Sequence, residues 1–271
     1  MENSKLGKYQ AIIISSLLLL LGLTSVVLVI LESLLKWEWQ SVWVFIIAIA
    51  GAIALFVGIN MLYTTLSKKV RKLSVKEMTM IALQSSITVI LYYFVKFNLP
   101  FFPPWLDIQI SEVPALITGF AYGPYAGFLV ILIRFIIKLP ATITAGVGEL
   151  ADLILSGCLV IVSSLIYRKN RTLKGALLGT IFGIAISTVL SVFVNWLILI
   201  PAYINIAHFP LSALVGMMNY IPSLTVTEDN FMLVYILVGV IPFNLFRYVI
   251  VALVTFLLYK KTHILLKRLT K

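Results

Sequence analysis

Ionisable and amide side chains stand inside stretches of this sequence that are otherwise apolar. These residues are Arg134, Glu149, Asp152, Asn195 and Arg247. A charged or amide side chain that faces lipid costs on the order of a few kcal/mol, so such residues usually turn toward the protein interior and pair there. They are therefore candidates for a buried polar site that binds a ligand. A purely structural pairing of Arg134 with Asp152 is the alternative, and Lys138 is expected to extend to the membrane interface.

Glu149 and Asp152 lie three residues apart, a spacing that puts both carboxylates on one face of a helix. Paired carboxylates can carry out acid–base chemistry or bind a metal ion. His208 and His263 fall in other segments, and the single cysteine, Cys158, offers no cysteine-based metal site. The sequence therefore predicts no catalytic residues and no metal ligands. A membrane enzyme that uses the two carboxylates stays open as an alternative.

Asn195 and Asn244 each lie close to a proline, in the segments Asn195–Pro201 and Pro242–Arg247. A primary amide presents a donor and an acceptor side by side, which suits the edge of a flat heterocycle. Arg247 follows Asn244 by three residues and so shares its helix face. The alternative for each asparagine is a hydrogen bond between two helices. The two amides and the arginine together favour a ligand.

The composition indicates that the solvent around these side chains is a lipid bilayer. Of the 271 residues, 61% are hydrophobic and 11% are charged, whereas soluble domains carry roughly 25% charged residues. The net charge of +11 comes from basic residues clustered between apolar runs, which is typical of cytoplasmic loops and not of a nucleic-acid-binding surface. We therefore predict a multi-pass protein of the cell membrane, surrounded by lipid, with no nucleic-acid partner.

Apolar runs of about 20 residues, the length that crosses a bilayer as a helix, recur along the chain. The stretch from Val113 to Pro140 is too long for one span and is broken by Gly123, Pro124 and Gly127, so it predicts two shorter helices joined by a tight turn. With the other runs this gives eight spans. The other runs are Ala11–Leu31, Val42–Leu66, Met78–Val95, Gly148–Tyr167, Ala176–Ile200 and Phe231–Tyr259.

Basic residues are concentrated in alternate connections between these spans, above all in Lys68–Lys76 and Arg168–Lys174, and at both chain ends. The positive-inside rule places these segments, and both termini, in the cytoplasm. The first of these basic segments also separates two unlike regions. We predict an all-α integral membrane protein with an N-terminal transmembrane hairpin and basic linker in residues 1–72. A six-helix module follows in residues 73–271.

The sequence contains no phosphate-binding loop of the G-x-x-x-x-G-K-[ST] type, so energy for uphill transport would have to come from partner subunits or an ion gradient. Ala82 and Ser86 give one helix a face of small residues that allows close helix contact. That face is suited either to internal packing or to the docking of a partner.

Several segments resemble the substrate-binding S components of energy-coupling factor (ECF) vitamin transporters, and most closely the riboflavin-specific group. The resemblance covers about residues 73–265 in order. Arg247 stands where that group usually has lysine, Glu112 where it has aspartate and Asp152 where it has asparagine. The segments that carry the resemblance are Asn98–Asp107, Ser111–Leu116, Gly119–Gly127, Gly146–Asp152, Asn195–Pro201 and Gly239–Asn244.

The resemblance implies a six-helix S-component bundle that captures a vitamin from outside. Its partners would be a transmembrane coupling subunit, docked at Ala82 and Ser86, and two cytoplasmic ATPase subunits. Riboflavin would be the transported ligand, with no cofactor. The implied binding residues are Asn195 and Asn244 for the flavin edge, Trp105, Leu106 and Gln109 of the outer loop, and Arg247, Glu149 and Asp152.

Three alternatives to this interpretation stay open. The first is an S component for a different vitamin or heterocycle. The second is the membrane enzyme that uses Glu149 and Asp152. The third is a stand-alone secondary transporter, although inverted repeats, common in such proteins, are not evident in the sequence.

Overall fold

The computed structural model describes residue 16 and the ranges 73–100, 102–103, 106–141, 146–205, 208–219 and 225–269. For residues 141 and 260–269 the backbone alone is described. The predicted hairpin helices Ala11–Leu31 and Val42–Leu66 lie outside these ranges. The residues from Val75 to Lys271 belong to one compact unit.

Helices dominate this unit. Most of their ends fall within about five residues of the predicted spans, but the last helix continues ten residues past the predicted end at Tyr259, and the short helix Leu211–Met218 matches no predicted span. The stretch between Val113 and Pro140 forms two helices, as predicted. The helices are α1 (Val75–Phe94), α2 (Val113–Tyr122), α3 (Pro124–Lys138), α4 (Val147–Lys169), α5 (Leu173–Asn205), α6 (Leu211–Met218) and α7, which begins at Phe231 and ends at Leu269. A single 3₁₀ turn, Leu139–Ala141, follows α3.

Two glycines allow the chain to turn immediately before α3 and α4. Gly123 joins α2 to α3 with a φ of 98°, and Gly146 precedes α4 with a φ of 83°. Residues with a Cβ rarely adopt such angles. The turn at Gly146 sets where α4 begins, and so fixes the height at which Glu149 and Asp152 enter the bundle.

A short antiparallel pairing departs from the all-α prediction. Strand β1 (Lys96–Phe97) pairs with β2 (Ile108–Gln109), with Lys96 opposite Gln109 and Phe97 opposite Ile108. The pairing closes the loop between α1 and α2 and satisfies backbone groups that no helix covers. Two-residue strands are too short to leave an alternating pattern in the sequence, which is why the prediction missed them. The fold is therefore mostly helical and not entirely helical as predicted.

Two long helices change their winding just before a proline. In α5 the residues Asn195–Leu199 form a π-helical turn ahead of Pro201, and in α7 the residues Tyr235–Val240 form another ahead of Pro242. A proline lacks the N–H for the carbonyl oxygen four residues earlier and its ring clashes with that carbonyl. A wider turn accommodates this clash, and π turns of this kind recur at functional sites.

The helices pack around α4, which lies against α5 and α3, while α2 contacts α3, α4 and α7, and α1 covers α2 and α3. Among the residues that the structure describes, three helical segments are long and apolar enough to cross a membrane: Val147–Lys169, Leu173–Asn205 and Phe231–Tyr259. Large apolar side chains point outward from these helices, as at Ile181, Leu233 and Leu257. Charged and hydroxyl side chains point inward instead. This inverted distribution is the one expected of a protein solvated by lipid.

Candidate functional site

A network of buried charges joins four helices at the centre of the module. Asp152 of α4 accepts from Arg134 Nη2 of α3 at 2.7 Å and from Arg247 Nη2 of α7 at 2.9 Å. Arg247 Nη2 also donates to Oε1 of Glu112, the residue that precedes α2. The predicted pairing of Arg134 with Asp152 is therefore present, and it is one part of a larger network.

Lys138 also belongs to this network. Its Nζ lies 3.2 Å from Oδ2 of Asp152 and 3.6 Å from the centroid of the Tyr92 ring. The side chain is buried, so the prediction that it extends to the membrane interface is wrong. An ion pair and a cation–π contact together stabilise the ammonium more than hydration at the membrane interface would, because both interactions are stronger away from water.

Hydroxyl groups add further hydrogen bonds to the charged residues. Ser156 accepts from Arg134 Nη2 at 3.1 Å and its hydroxyl lies 3.0 Å from Oε1 of Glu112, to which it donates. Arg134 Nη1 donates to Ser111, whose hydroxyl donates to Oε1 of Gln109 at 3.1 Å. Gln109, a predicted binding residue, thus lies in β2 at the edge of the network.

The network is close to electrically balanced, as burial requires. Three cations face the carboxylates of Glu112 and Asp152, and the charge of Glu149 acts on Lys138 from one turn earlier in α4. Two buried atoms, Oε2 of Glu112 and Nε of Arg247, have no hydrogen-bond partner among the described residues. Within those same ranges, no group of three or more histidine, cysteine or acidic residues is placed to hold a metal ion.

Asn195 lies in the π turn of α5 with both ends of its amide engaged. Nδ2 donates to the carbonyl oxygen of Ser191 at 2.8 Å, and Oδ1 accepts from the hydroxyl of Tyr235 at 2.9 Å. Tyr235 lies in the π turn of α7. The two widened turns therefore face each other through a side-chain hydrogen bond.

Asn244 lies on α7, between this contact and the charge network. Its Nδ2 donates to the carbonyl oxygen of Val240 at 2.8 Å, and the side chain is buried. Its Oδ1 has no protein partner among the residues the structure describes. Arg247 follows one turn later on the same face, so α7 carries an open amide oxygen next to a guanidinium group.

The loop between the two strands packs on the same part of α7. Phe102 and Ile108 form an apolar cluster with Phe243, and Leu106 packs against it. The rings of Phe102 and Phe243 meet edge to face, with their centroids 5.4 Å apart. The predicted residue Trp105 lies outside the described ranges.

The structure thus brings some of the predicted residues into direct contact and relates others through α7. Asp152 and Arg247 are bonded, and Glu149 lies one turn from Asp152. In the described part of the chain, no hydrogen bond links Asn195 to Asn244 or Arg247, and Tyr235 is what ties Asn195 to α7. The exposed pair Ala82 and Ser86 lies on α1, where the Ser86 hydroxyl donates to the carbonyl oxygen of Ala82 at 3.0 Å.

Glu112 and Tyr235 are site residues that reasoning from the sequence missed. Glu112 lies between β2 and α2, and its place just before α2 gave no sign that it is fully buried. Tyr235 precedes Pro242 by seven residues, much as Asn195 precedes Pro201 by six. That similar distance from a proline was the available signal.

A family model described as "ECF transporter, substrate-specific component" matches residues 76–259. The chain belongs to this family. As a member, it is a transport subunit and not an enzyme, so the alternative of a membrane enzyme acting through Glu149 and Asp152 is wrong.

Curated relatives of this S component include two riboflavin transporters. RibU of Staphylococcus aureus (strain TCH60) is 29% identical over 194 residues, which cover 72% of this chain and 94% of that protein. FmnP of Bacillus subtilis (strain 168) is 26% identical over 192 residues, which cover 70% and 93%. A solved structure of the S component of a bacterial ECF transporter aligns with a TM-score of 0.55 and 28% identity, over 71% of this chain and 98% of that one.

Proposed function

We propose that this S component captures riboflavin from outside the cell and delivers it through an ECF importer. The supporting observation is that two buried amides, Asn195 and Asn244, line the polar interior of a chain whose relatives are riboflavin transporters. Amides at fixed positions complement the donor and acceptor atoms along the edge of a flavin ring.

The flavin ring needs an apolar cover as well as a polar edge. Leu106 and the cluster of Phe102 and Phe243 provide such a surface next to Asn244. Trp105 and Gln109 of the same loop complete the set of residues that we assign to the ring. An apolar pocket with a few placed polar groups is the usual form of a small-molecule site.

The hydroxylated tail of riboflavin would lie toward the charge network. Nε of Arg247 is a buried donor without a partner among the described residues, and a hydroxyl group can accept from it. We assign Arg247, with Glu149 and Asp152, to this tail. Hydroxyl groups both donate and accept, so they suit a region that presents guanidinium and carboxylate groups together.

A thermal-shift comparison across the B-group vitamins tests the choice of ligand. Riboflavin added to the purified, detergent-solubilised chain should raise its unfolding temperature, because a ligand that binds only the folded state stabilises it by mass action. Thiamine and biotin, assayed at equal concentration, serve as matched controls and should have no effect. Stabilisation by another vitamin and not by riboflavin would contradict the assignment.

In the membrane, the proposed arrangement has six spans in residues 73–271, preceded by the hairpin in residues 1–72. Both termini would face the cytoplasm, since the basic segments lie on that side. The energy would come from a transmembrane coupling subunit and two cytoplasmic ATPase subunits. The surface of α1 around Ala82 and Ser86 is suited to that docking, because both residues are small and exposed and the Ser86 hydroxyl is occupied by its own helix.

Enlarging this surface should separate transport from binding. The double variant Ala82→Leu with Ser86→Leu stays compatible with lipid but blocks close approach of a partner helix. We expect uptake by vesicles that contain the coupling and ATPase subunits to fall by about tenfold, equivalent to about 1.4 kcal/mol of docking free energy. Riboflavin binding by the isolated chain should be unchanged.

The matched control is Ile181→Phe, which enlarges an exposed apolar residue of α5. Uptake by this variant should equal that of the unaltered chain. Equal uptake by the double variant and by this control would show that α1 is not the docking surface.

A further inference from the structure

The hydrogen bond between the two π turns assigns a role to a residue outside the proposed binding set. We propose that Tyr235 is a positioning residue for ligand recognition: its hydroxyl holds the amide oxygen of Asn195, and with it the plane of the amide, in place for the flavin edge. This inference rests on the proposed function, since it concerns how the same site selects its ligand.

The orientation of the Asn195 amide follows from what its neighbours can accept or donate. The Ser191 carbonyl oxygen can only accept, so the group 2.8 Å from it must be the NH₂ of the amide. The amide oxygen must then face Tyr235, whose hydroxyl donates across 2.9 Å. The Ser191 contact excludes the flipped amide, because a flip would set carbonyl oxygen against carbonyl oxygen. The Tyr235 hydroxyl then holds the amide oxygen at its own position.

Packing restrains the Tyr235 ring, and so fixes the position of its hydroxyl. The residue is fully buried, and its ring stacks on Phe231 with centroids 5.6 Å apart and planes 4° from parallel. Gly239 also lies close to this ring, since an added Cβ there would come within 3.2 Å of the tyrosine Cδ2. Such a Cβ would also lie 3.6 Å from Pro103, so the outer loop approaches the same point of α7.

With both contacts made, Asn195 retains one N–H and one oxygen lone pair for a ligand. Their arrangement in space is fixed before the ligand arrives, which lowers the entropic cost of binding. A ligand that presents an adjacent acceptor and donor along one edge fits this pair. Tyr235 thus acts on the ligand through Asn195 and without contacting it.

Removing the hydroxyl alone tests this role. Tyr235→Phe keeps the ring and its stacking on Phe231 but leaves the amide oxygen without its donor. We expect the Kd for riboflavin, measured by flavin fluorescence titration on the full chain, to rise by about three- to tenfold, the usual effect of one hydrogen bond. The matched control is Tyr248→Phe, also on α7 and fully buried, whose hydroxyl has no partner among the described residues. It should bind as the unaltered chain does.

A double-mutant cycle distinguishes positioning from a general structural effect. In an Asn195→Ala background, Tyr235→Phe should change the Kd by less than about twofold, because no amide remains to be oriented. An equal loss in both backgrounds, or no loss in either, would overturn the role of Tyr235 while leaving riboflavin capture intact. Failure of the unaltered chain to bind riboflavin would overturn the proposed function, and this inference with it.

Discussion

Replacing Glu112 with methionine should lower the free energy of unfolding by about 3–5 kcal/mol, the cost of removing one partner from a buried ion pair. Glu112 is fully buried and accepts from Arg247 and Ser156. Its loss leaves three cations around one bonded carboxylate, Asp152, in the interior of the bundle. Methionine is close to glutamate in volume, so packing changes little. Denaturant titration of the ligand-free, detergent-solubilised chain measures the effect.

The matched control is an ion pair at the surface. Asp107 lies 3.5 Å from Lys96, and their side chains are 33% and 45% exposed. Asp107→Asn should cost less than about 1 kcal/mol, because water screens exposed charges. Equal losses for the two variants would show that the buried network adds no stability beyond that of a surface pair.

A double variant tests whether Glu112 and Arg247 interact in the folded protein. Arg247→Met added to Glu112→Met removes both charges of one bonded pair, and part of the lost stability should return because no uncompensated guanidinium is left there. Additive losses would mean that the two residues do not interact in the folded protein.

Replacing Asn195 with alanine should weaken riboflavin binding on the order of 100-fold, or about 2.7 kcal/mol. The change removes the hydrogen bonds that we propose to the flavin edge and takes away the amide oxygen that accepts from the Tyr235 hydroxyl. Asn244→Ala should have an effect of similar size, because its amide oxygen is open toward a ligand. Fluorescence titration with riboflavin gives the Kd, and the unfolding temperature without ligand reports on the fold.

Asn170 provides the matched asparagine for these variants. It is exposed, directly follows α4, and accepts from the hydroxyl of Thr172 at 3.0 Å. Asn170→Ala should leave the Kd within about twofold of its original value. A loss at Asn170 as large as that at Asn195 would show that the effect comes from the bundle as a whole.

The helices themselves were predictable because length and hydropathy alone determine where a chain can cross lipid. The sequence also indicated that Arg134 and Asp152 would turn inward and pair, since lipid offers them no other partner. The choice of further partners was not predictable. It depends on how far the start of α2 is buried, which brings Glu112 to Arg247, and on the Tyr92 ring, which retains Lys138 in the interior.

The π turns and the short strands could not be predicted from the sequence, because each depends on packing around a few residues. Prolines marked the places where α5 and α7 had to change, but a proline permits a kink, a break or a π turn with equal ease. Only packing selects the π turn, and the π turns set Asn195 opposite Tyr235. The two-residue strands likewise depend on where α1 ends and α2 begins, and their own residues carry no pattern.

The most direct test of this account is a fluorescence titration of riboflavin into the unaltered full-length chain, purified without partners. The account predicts saturable binding to one site per chain, with the flavin fluorescence quenched as the ring enters an apolar pocket beside Asn244. A titration in which the emission only grows in proportion to added riboflavin, with no quenched and saturable fraction, would contradict it.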